Sequence, residues 1–397
     1  MRIKADAFPY YKSSSFLIIS MLFFLAVTGI ISPYKYNLLP VNPILEIVLI
    51  IAALLAAKGT SGKYYAFITI SSIYLLSSFL IMHLLKPANI FDFAQAYKSF
   101  YYIIPLSLFA GKDKFNEKQI KTILYFLLAM FLAKYSYSRL LHLDERLSTR
   151  PGLYVENNFE LILLIIIYYL ATPTIKKYKL LTFATLAFIV VISGSRSALL
   201  ALLIVYSATF IKKIDAKFIL SITALAILLW ILYMVFSERL AGGNLEEIDR
   251  YRFMMVFINE IRNWGVFNYL FGSIPLTPLS PQSCASLSFY EGMFSSAGTG
   301  ECYSVILHAY LLRVIFDQGI IALLLMLAFI WTGLGSANYT NRQKYCIIGV
   351  LMISGVSVSS VNSIFSAIAL AIAFSYKQTP KTVKKHHSPE AKQIVNH

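Results

Sequence analysis

Charge is scarce in this chain. Only 14% of its 397 residues are Asp, Glu, Lys or Arg, against 58% hydrophobic. That excludes a string of soluble domains, because nearly every helix would have to be buried on all faces, which a chain of this size cannot do. Acid is scarcer than base, 19 residues against 35, for a formal net charge of +16. The basic residues are spread over short segments without interleaved aromatic platforms, so no nucleic-acid partner is expected. Cysteine numbers three. There is no CxxC, no histidine cluster and no HExxH, so neither a metal nor a cofactor is expected. No internal repeat is evident and no filter-like loop, which counts against a two-halved transporter and against an ion channel. No small-residue cleavage site follows the first apolar segment, which reads as an anchor helix and not as a removed signal.

What is present is one apolar run after another, each long enough to cross a bilayer. The chain reads as an all-α polytopic membrane protein with twelve spans, at about 14–32, 39–57, 64–85, 94–110, 119–137, 157–172, 179–194, 197–211, 217–236, 303–333, 345–358 and 361–376. The fourth and fifth carry Lys98 and Lys134. The tenth is too long for one straight span, which predicts a tilted helix or a break near Gly319. The layout is nine spans over 1–236, one large loop at 237–302, three spans over 303–376, and a basic tail at 377–397.

Lysine sets the orientation. Lys58, Lys63, Lys112, Lys114, Lys118, Lys121, Lys176, Lys177, Lys179, Lys212, Lys213, Lys217 and Lys344 fall in alternate connections, on the side of both basic termini. Both termini are therefore expected in the cytoplasm, with the large loop on the other face. Arginine splits the opposite way. Of eleven, only Arg2 and Arg342 fall inside, and nine face or approach the outer side. Outward arginines work against topology, and guanidinium grips phosphate bidentately, so a phosphorylated ligand at the outer face is expected. Thirteen of the nineteen acids are also outside, so several of these arginines are expected to pair with carboxylates.

Four outer stretches carry candidate chemistry. The run Arg150-Pro151-Gly152-Leu153-Tyr154-Val155-Glu156-Asn157-Asn158-Phe159-Glu160 leads into the sixth span. Arg150, Glu156 and Asn157 are possible substrate contacts there, against the plainer reading that Asn and Glu cap a helix. Ser193-Gly194-Ser195-Arg196-Ser197 is a tight turn that places Arg196 at a helix N-terminus, where free N–H groups favour an anion. In the large loop, apolar residues at 248, 251, 255 and 258, with 254 and 261 nearby, predict an amphipathic helix at the interface. On it Arg250 has Glu246 or Glu247 as a partner, while Arg252 has only Asp249 and is the stronger ligand candidate. Prolines 275, 278 and 281 and a Ser/Gly-rich patch to Gly300 then read as a mobile lid. Cys284 and Cys302 are expected to form a disulfide pinning this loop beside the tenth span. That span carries His308, a titratable group placed about a turn and a half inside the helix mouth, and Arg313, with Asp317 four residues on as a structural partner.

Taken together, these features resemble the bacterial O-antigen ligase and polymerase superfamily (the WaaL and Wzy types). Ser-Arg-Ser at 195–197, the single large outer loop with its Arg-bearing helix and Phe271-Gly272 turn, and a histidine followed eleven residues later by glycine carry the likeness. The family's last motif is His, then Asn, Ser or Gln, nine residues, Gly, two residues, then Gly, Thr or Val. Here it runs His308, Ala309, nine residues, Gly319, two residues, Ala322, so the spacing fits and both variable positions depart.

The resemblance implies a GT-C-like membrane glycosyltransferase, without metal or cofactor, that inverts the anomeric carbon. Its donor would be a glycan on undecaprenyl pyrophosphate at the periplasmic face of a bacterial inner membrane. Arg196 and Arg252 would bind the pyrophosphate, His308 would orient or deprotonate the acceptor hydroxyl, and Arg150, Glu156, Asn157, Arg250 and Arg313 are further contacts. A polymerase of lipid-linked repeat units for O-antigen or capsule is the favoured reading, with a chain-length regulator (Wzz-type) as partner. A ligase acting on the lipid A core is the alternative, and a lipid-linked-oligosaccharide flippase is more remote.

Overall fold

A computed structural model describes residues 13–33, 36–86, 88–140, 151–155, 157–211 and 249–378, together with Thr223, Ala226 and Trp230. Among the described residues the regular structure is entirely helical. The first nine α-helices are α1 (Ser13–Ile31), α2 (Val41–Ala56), α3 (Gly62–Leu85), α4 (Ile90–Ala96), α5 (Lys98–Phe109), α6 (Glu117–Leu140), α7 (Asn157–Ala171), α8 (Lys179–Ser193) and α9 (Arg196–Phe210). The loop region holds α10 (Asp249–Ile261), α11 (Val266–Phe271) and α12 (Pro281–Ser286), and the chain closes with α13 (Tyr310–Ser336), α14 (Asn341–Gly355) and α15 (Ile364–Ser375).

Helix occupies every expected span except the ninth, 217–236, which lies outside the described residues apart from the three isolated ones. α1, α3, α6 and α13, at 19, 24, 24 and 27 residues, are long and apolar enough to cross a membrane, and α2, α7, α9 and α15 are shorter apolar helices. The protein is a helical membrane protein by this measure. α7 and α15 are apolar on every side and buried on every side, so they form the middle of the bundle. α3 buries little beyond Tyr64, Ser71, Ser78 and Met82. Its remaining surface, with Leu54 of α2 at 65% and Leu84 at 76% exposure, is the apolar exterior that a bilayer covers.

Two expected spans carry charge, and the structure shows how each is accommodated. The fourth is not one helix: it breaks at Tyr97 into α4 and α5. Lys98, the first residue of α5, lies 2.7 Å from Glu46 of α2. Lys134 of α6 is fully buried, with its ammonium donating to Ser32 O at 3.0 Å and to the Tyr137 hydroxyl at 2.7 Å. A buried ammonium needs such partners, since its desolvation is otherwise uncompensated.

The connections gather at two opposite ends. At one, Lys112 Nζ donates to Lys58 O at 2.7 Å, Lys114 N to Ser375 O at 2.9 Å, and Lys179 Nζ to Thr209 O at 3.0 Å. Arg342 donates to Ser207 O and Ile211 O there, and Lys344 sits 4.6 Å over the Trp331 ring. This lysine end collects the connections that the charge pattern grouped together. The other end holds the loop helices, the start of α13, the 357–363 turn and the Ser193–Ser197 turn. α13 runs from this loop end to the lysine end.

The length of the tenth span resolves into a break. Gly319, inside α13, has φ 78° and ψ 176°, as its excess length predicts. The cause is a backbone-to-backbone approach: a Cβ built on Gly319 would lie 2.3 Å from Leu270 O, and one on Gly272 would lie 2.5 Å from Gln318 N. Ser273 N donates to Phe316 O at 2.7 Å beside this crossing, taking up a carbonyl near the break.

Candidate functional site

The helix of α13 starts later than its apolar run. Residues Ser304–Leu307 form a 3-10 turn, His308 follows at φ 50° and ψ −10°, and the α-helix begins only at Tyr310. His308 is therefore not a turn and a half inside the membrane helix, as its place in the run suggests, but precedes it in the left-handed region. Few non-glycine residues adopt that conformation, and it marks a position held by its surroundings. The holding groups are visible on both sides. Ser304 Oγ donates to the buried Asp317 Oδ2 at 2.6 Å, tying the 3-10 turn to the next turns of α13. Tyr310 N donates to Val358 O at 3.0 Å, tying the helix start to the turn after α14.

α10 lies across this junction. Its buried side is Phe253, Val256 and Phe257, which join Leu287, Ile306, Leu307 and Phe316 in one apolar cluster. This corrects the amphipathic pattern read from the sequence, because Tyr251, Met254, Met255 and Ile258 all point outward. The helix carries two apolar stripes, and the Phe-bearing one faces the protein. The Phe253 ring centre lies 6.0 Å from the His308 imidazole and 5.5 Å from Tyr290. Arg250 and Arg252 are half-buried on the same helix, Arg252 next in sequence to the ring that touches His308.

Cys284 and Cys302 are joined in a disulfide with Cα atoms 6.0 Å apart, and Leu279 N donates to Cys302 O at 2.8 Å beside it. Two acids hold the rest of the loop. Glu260 of α10 accepts from Ser280 N at 3.0 Å and from the Ser280 and Ser283 hydroxyls. Asp92 of α4, fully buried, accepts from Ser295 Oγ at 2.7 Å and from the Ser296 and Ala297 amides. The stretch read as a lid is thus tied at three places, the disulfide included. Nothing in the spacing of the sequence announces these two acids, since Asp92 and Ser295 are 203 residues apart.

Arg196 occupies a turn of its own. Gly194, at φ 64°, ends α8, and Ser195 caps α9 by accepting from Ala198 N at 3.3 Å. Ser195 Oγ donates to Asn158 Oδ1 at 2.7 Å, and Ser197 Oγ stands 3.3 Å away. Arg196 is 7% exposed as the first residue of α9. Arg139 reaches the same turn, donating from Nε and Nη2 to Ile192 O at 3.1 and 2.9 Å.

The remaining candidates are placed as follows. Arg150 and Glu156 lie outside the described residues, as does the side chain of Asn157, the first residue of α7. Glu160 is fully buried and accepts from the amides of Leu153, Tyr154 and Val155 at 2.8, 2.6 and 3.1 Å and from Tyr135 OH at 2.6 Å, a structural cap. Arg313 is 3% exposed and donates to Gln95 O at 3.2 Å, where α4 ends. Its neighbour one turn on, Asp317, takes the Ser304 hydroxyl and also interacts with the Arg313 charge, so the expected pair is electrostatic while each residue has a hydrogen-bond partner of its own. Asn362 Nδ2 shares Gln95 O at 3.1 Å, and Gln318 Nε2 takes Ala96 O at 3.2 Å. These three residues satisfy the carbonyls freed by the break at Tyr97.

Two groupings result. His308, the Arg252-bearing helix, the disulfide and the Gly272–Gly319 crossing form one assembly, while Arg196 sits at a second, serine-rich turn at the same end of the bundle. No group of three or more His, Cys, Asp or Glu suited to a metal ion occurs among the described residues. No model of a known protein family matches the chain, and no curated protein matches it either.

Proposed function

We propose that this chain is a membrane glycosyltransferase that joins lipid-linked oligosaccharide repeat units into a polysaccharide, with its loop end facing the periplasm of a bacterial inner membrane. The observation that carries the reading is the His308 junction. An imidazole is held in a left-handed conformation at the mouth of a membrane helix, with its ring against Phe253 on the helix that bears Arg250 and Arg252. The Gly272–Gly319 crossing adds support, because it physically joins the two glycine-bearing features on which the family resemblance stands.

In this reading the acceptor sugar hydroxyl attacks the anomeric carbon of the donor while the carbon–oxygen bond to undecaprenyl pyrophosphate breaks, inverting the centre. His308 takes the hydroxyl proton, a role for which imidazole is the usual side chain. Arg252, with Arg196 from the serine turn, offsets the charge that grows on the pyrophosphate in a partly dry site. Glycan donor and acceptor are the ligands, the bilayer is the environment, and a chain-length regulator is the protein partner such a polymerase would have.

The test is genetic and chemical. In membranes of a strain lacking the gene, His308→Ala and Arg252→Ala chains present at normal levels should leave surface glycan as single repeats capped on lipid A core. Lipid-linked polymer that accumulates unattached would assign the protein as the ligase instead. Normal ladders from both variants would remove the site from this junction.

A further inference from the structure

We infer that the segment from Arg262 to Ser273, within the large outer loop, re-enters the membrane, so that α11 contacts the acyl chains of the leaflet on the loop side. This goes beyond the proposed reaction and rests only on the chain being a helical membrane protein.

Depth is the first argument. The Gly272–Gly319 crossing fixes α11 against the body of α13, not against its mouth. Gly319 precedes Ser336, the lysine-end terminus of α13, by seventeen residues (336 minus 319). At 1.5 Å per residue that is roughly 26 Å of helix, less than the ~30 Å thickness of a bilayer's hydrocarbon. Gly319 is thus within the slab even if its far edge is set at Ser336. Setting that edge at Trp331, where Lys344 sits over the ring, moves Gly319 deeper by about another 7 Å, and any tilt acts in the same direction.

Exposure and composition are independent of that measurement. Val266, Phe267 and Phe271 of α11 are 73%, 79% and 57% exposed, and Ile320, Ile321 and Leu324 on the adjoining stretch of α13 are exposed too. In water such a cluster of large apolar side chains is costly, whereas in hydrocarbon it costs nothing. No Asp, Glu, Lys or Arg stands between Arg262 and Glu291. A typical soluble domain carries about one charged residue in four. The flanks also fit: exposed Arg262 and Asn263 lead into Trp264, which stacks on Phe316 with ring centres 5.6 Å apart, the order of a membrane interface. α10 is the approach to this segment, and its outward stripe of Tyr251, Met254, Met255 and Ile258 continues the apolar surface.

Nitroxide labels on the full chain in liposomes test this, with the Cys284–Cys302 disulfide intact and Cys346→Ser removing the free thiol. Phe267→Cys is the probe, Leu324→Cys the lipid-facing reference, and Glu291→Cys the water-facing reference. Collision with oxygen reports hydrocarbon, and collision with a neutral nickel chelate reports water. The oxygen-to-nickel ratio at 267 should exceed that at 291 several-fold and approach that at 324. A ratio at 267 equal to that at 291 would put α11 in water and overturn the inference. Low collision with both reagents would mean that another part of the chain covers it, which overturns it equally. Should Phe267→Cys fail to fold, Val266→Cys reads the same face.

Discussion

The two ends of the bundle share one device and differ in another. Lys134, Arg139 and Arg313 donate to main-chain carbonyls at the loop end, as the basic residues do at the lysine end, but the loop end also uses acids to hold main-chain amides. At the lysine end, cations finish helices: Lys112, Lys179 and Arg342 each donate to a main-chain carbonyl at or near a helix C-terminus. At the loop end, anions hold backbone: Glu160, Asp92 and Glu260 each accept from main-chain amides. The lysine-end cations are long, flexible and placed where water and headgroups can share the load. Glu160 and Asp92 are fully buried, so their bonds have no substitute. The loop end is therefore the end whose geometry is fixed from inside, as a reaction centre at its surface would require.

The sharpest way to break this comparison is at the crossing that anchors the loop. Gly319→Ala places a Cβ 2.3 Å from Leu270 O at a φ of 78°, so either the loop or α13 must move. The expected cost is on the order of 4 kcal/mol or more, read as loss of monodisperse protein on extraction and a lowered Tm. Gly298→Ala is the control: its φ is 69° but nothing lies within 4 Å, so only backbone strain of about 1 kcal/mol remains. Equal damage from both would mean that the close approach does not matter.

Glu160→Ala comes next. It strands two buried amides, a part-buried one and a phenol, at a cost of roughly 3 kcal/mol, measured by the same Tm. Asp92→Ala loses two amides and a serine hydroxyl, for about 2 kcal/mol. Its signature is local, with faster proteolysis at 295–299 than at any other loop. A global loss of stability without that local cleavage would show that Asp92 supports the bundle and not the loop.

What could be read beforehand divides along physical lines. Apolar runs and lysine spacing are local properties, so the helices and the gathering of basic connections at one end were legible. The break at Gly319 was legible too, because the run was too long and glycine was the weak point. The late start of α13 was not, since Tyr303–Leu307 is as apolar as the helix it precedes and conceals a 3-10 turn. The buried face of α10 was misread because Phe253, Val256 and Phe257 and the outward Tyr251, Met254 and Met255 both satisfy a helical period. Asp92 and Glu260 carry no local sequence signal, and only tertiary contacts reveal their partners. Arg313 is half such a case: its spacing to Asp317 announces the charge interaction the two make, but nothing local announces its hydrogen bond to a carbonyl freed by the break at Tyr97.

The smallest effect is expected at the lysine end. Partial burial, and after it the neighbouring Lys114 charge, hold the Lys112 ammonium below its ordinary pKa. The fold therefore works against that charge even as Nζ donates to Lys58 O at 2.7 Å. Lys112→Ala loses the hydrogen bond and relieves the repulsion, leaving a net change within about 0.5 kcal/mol. Because the folded state prefers the neutral amine, wild-type stability should rise slightly as pH climbs through the lowered pKa toward the unfolded value. Lys112→Ala should flatten that rise. A Tm-versus-pH series on both chains reads it directly. If Lys112→Ala instead costs as much as Glu160→Ala, the lysine end is as rigidly specified as the loop end, and the contrast between them fails.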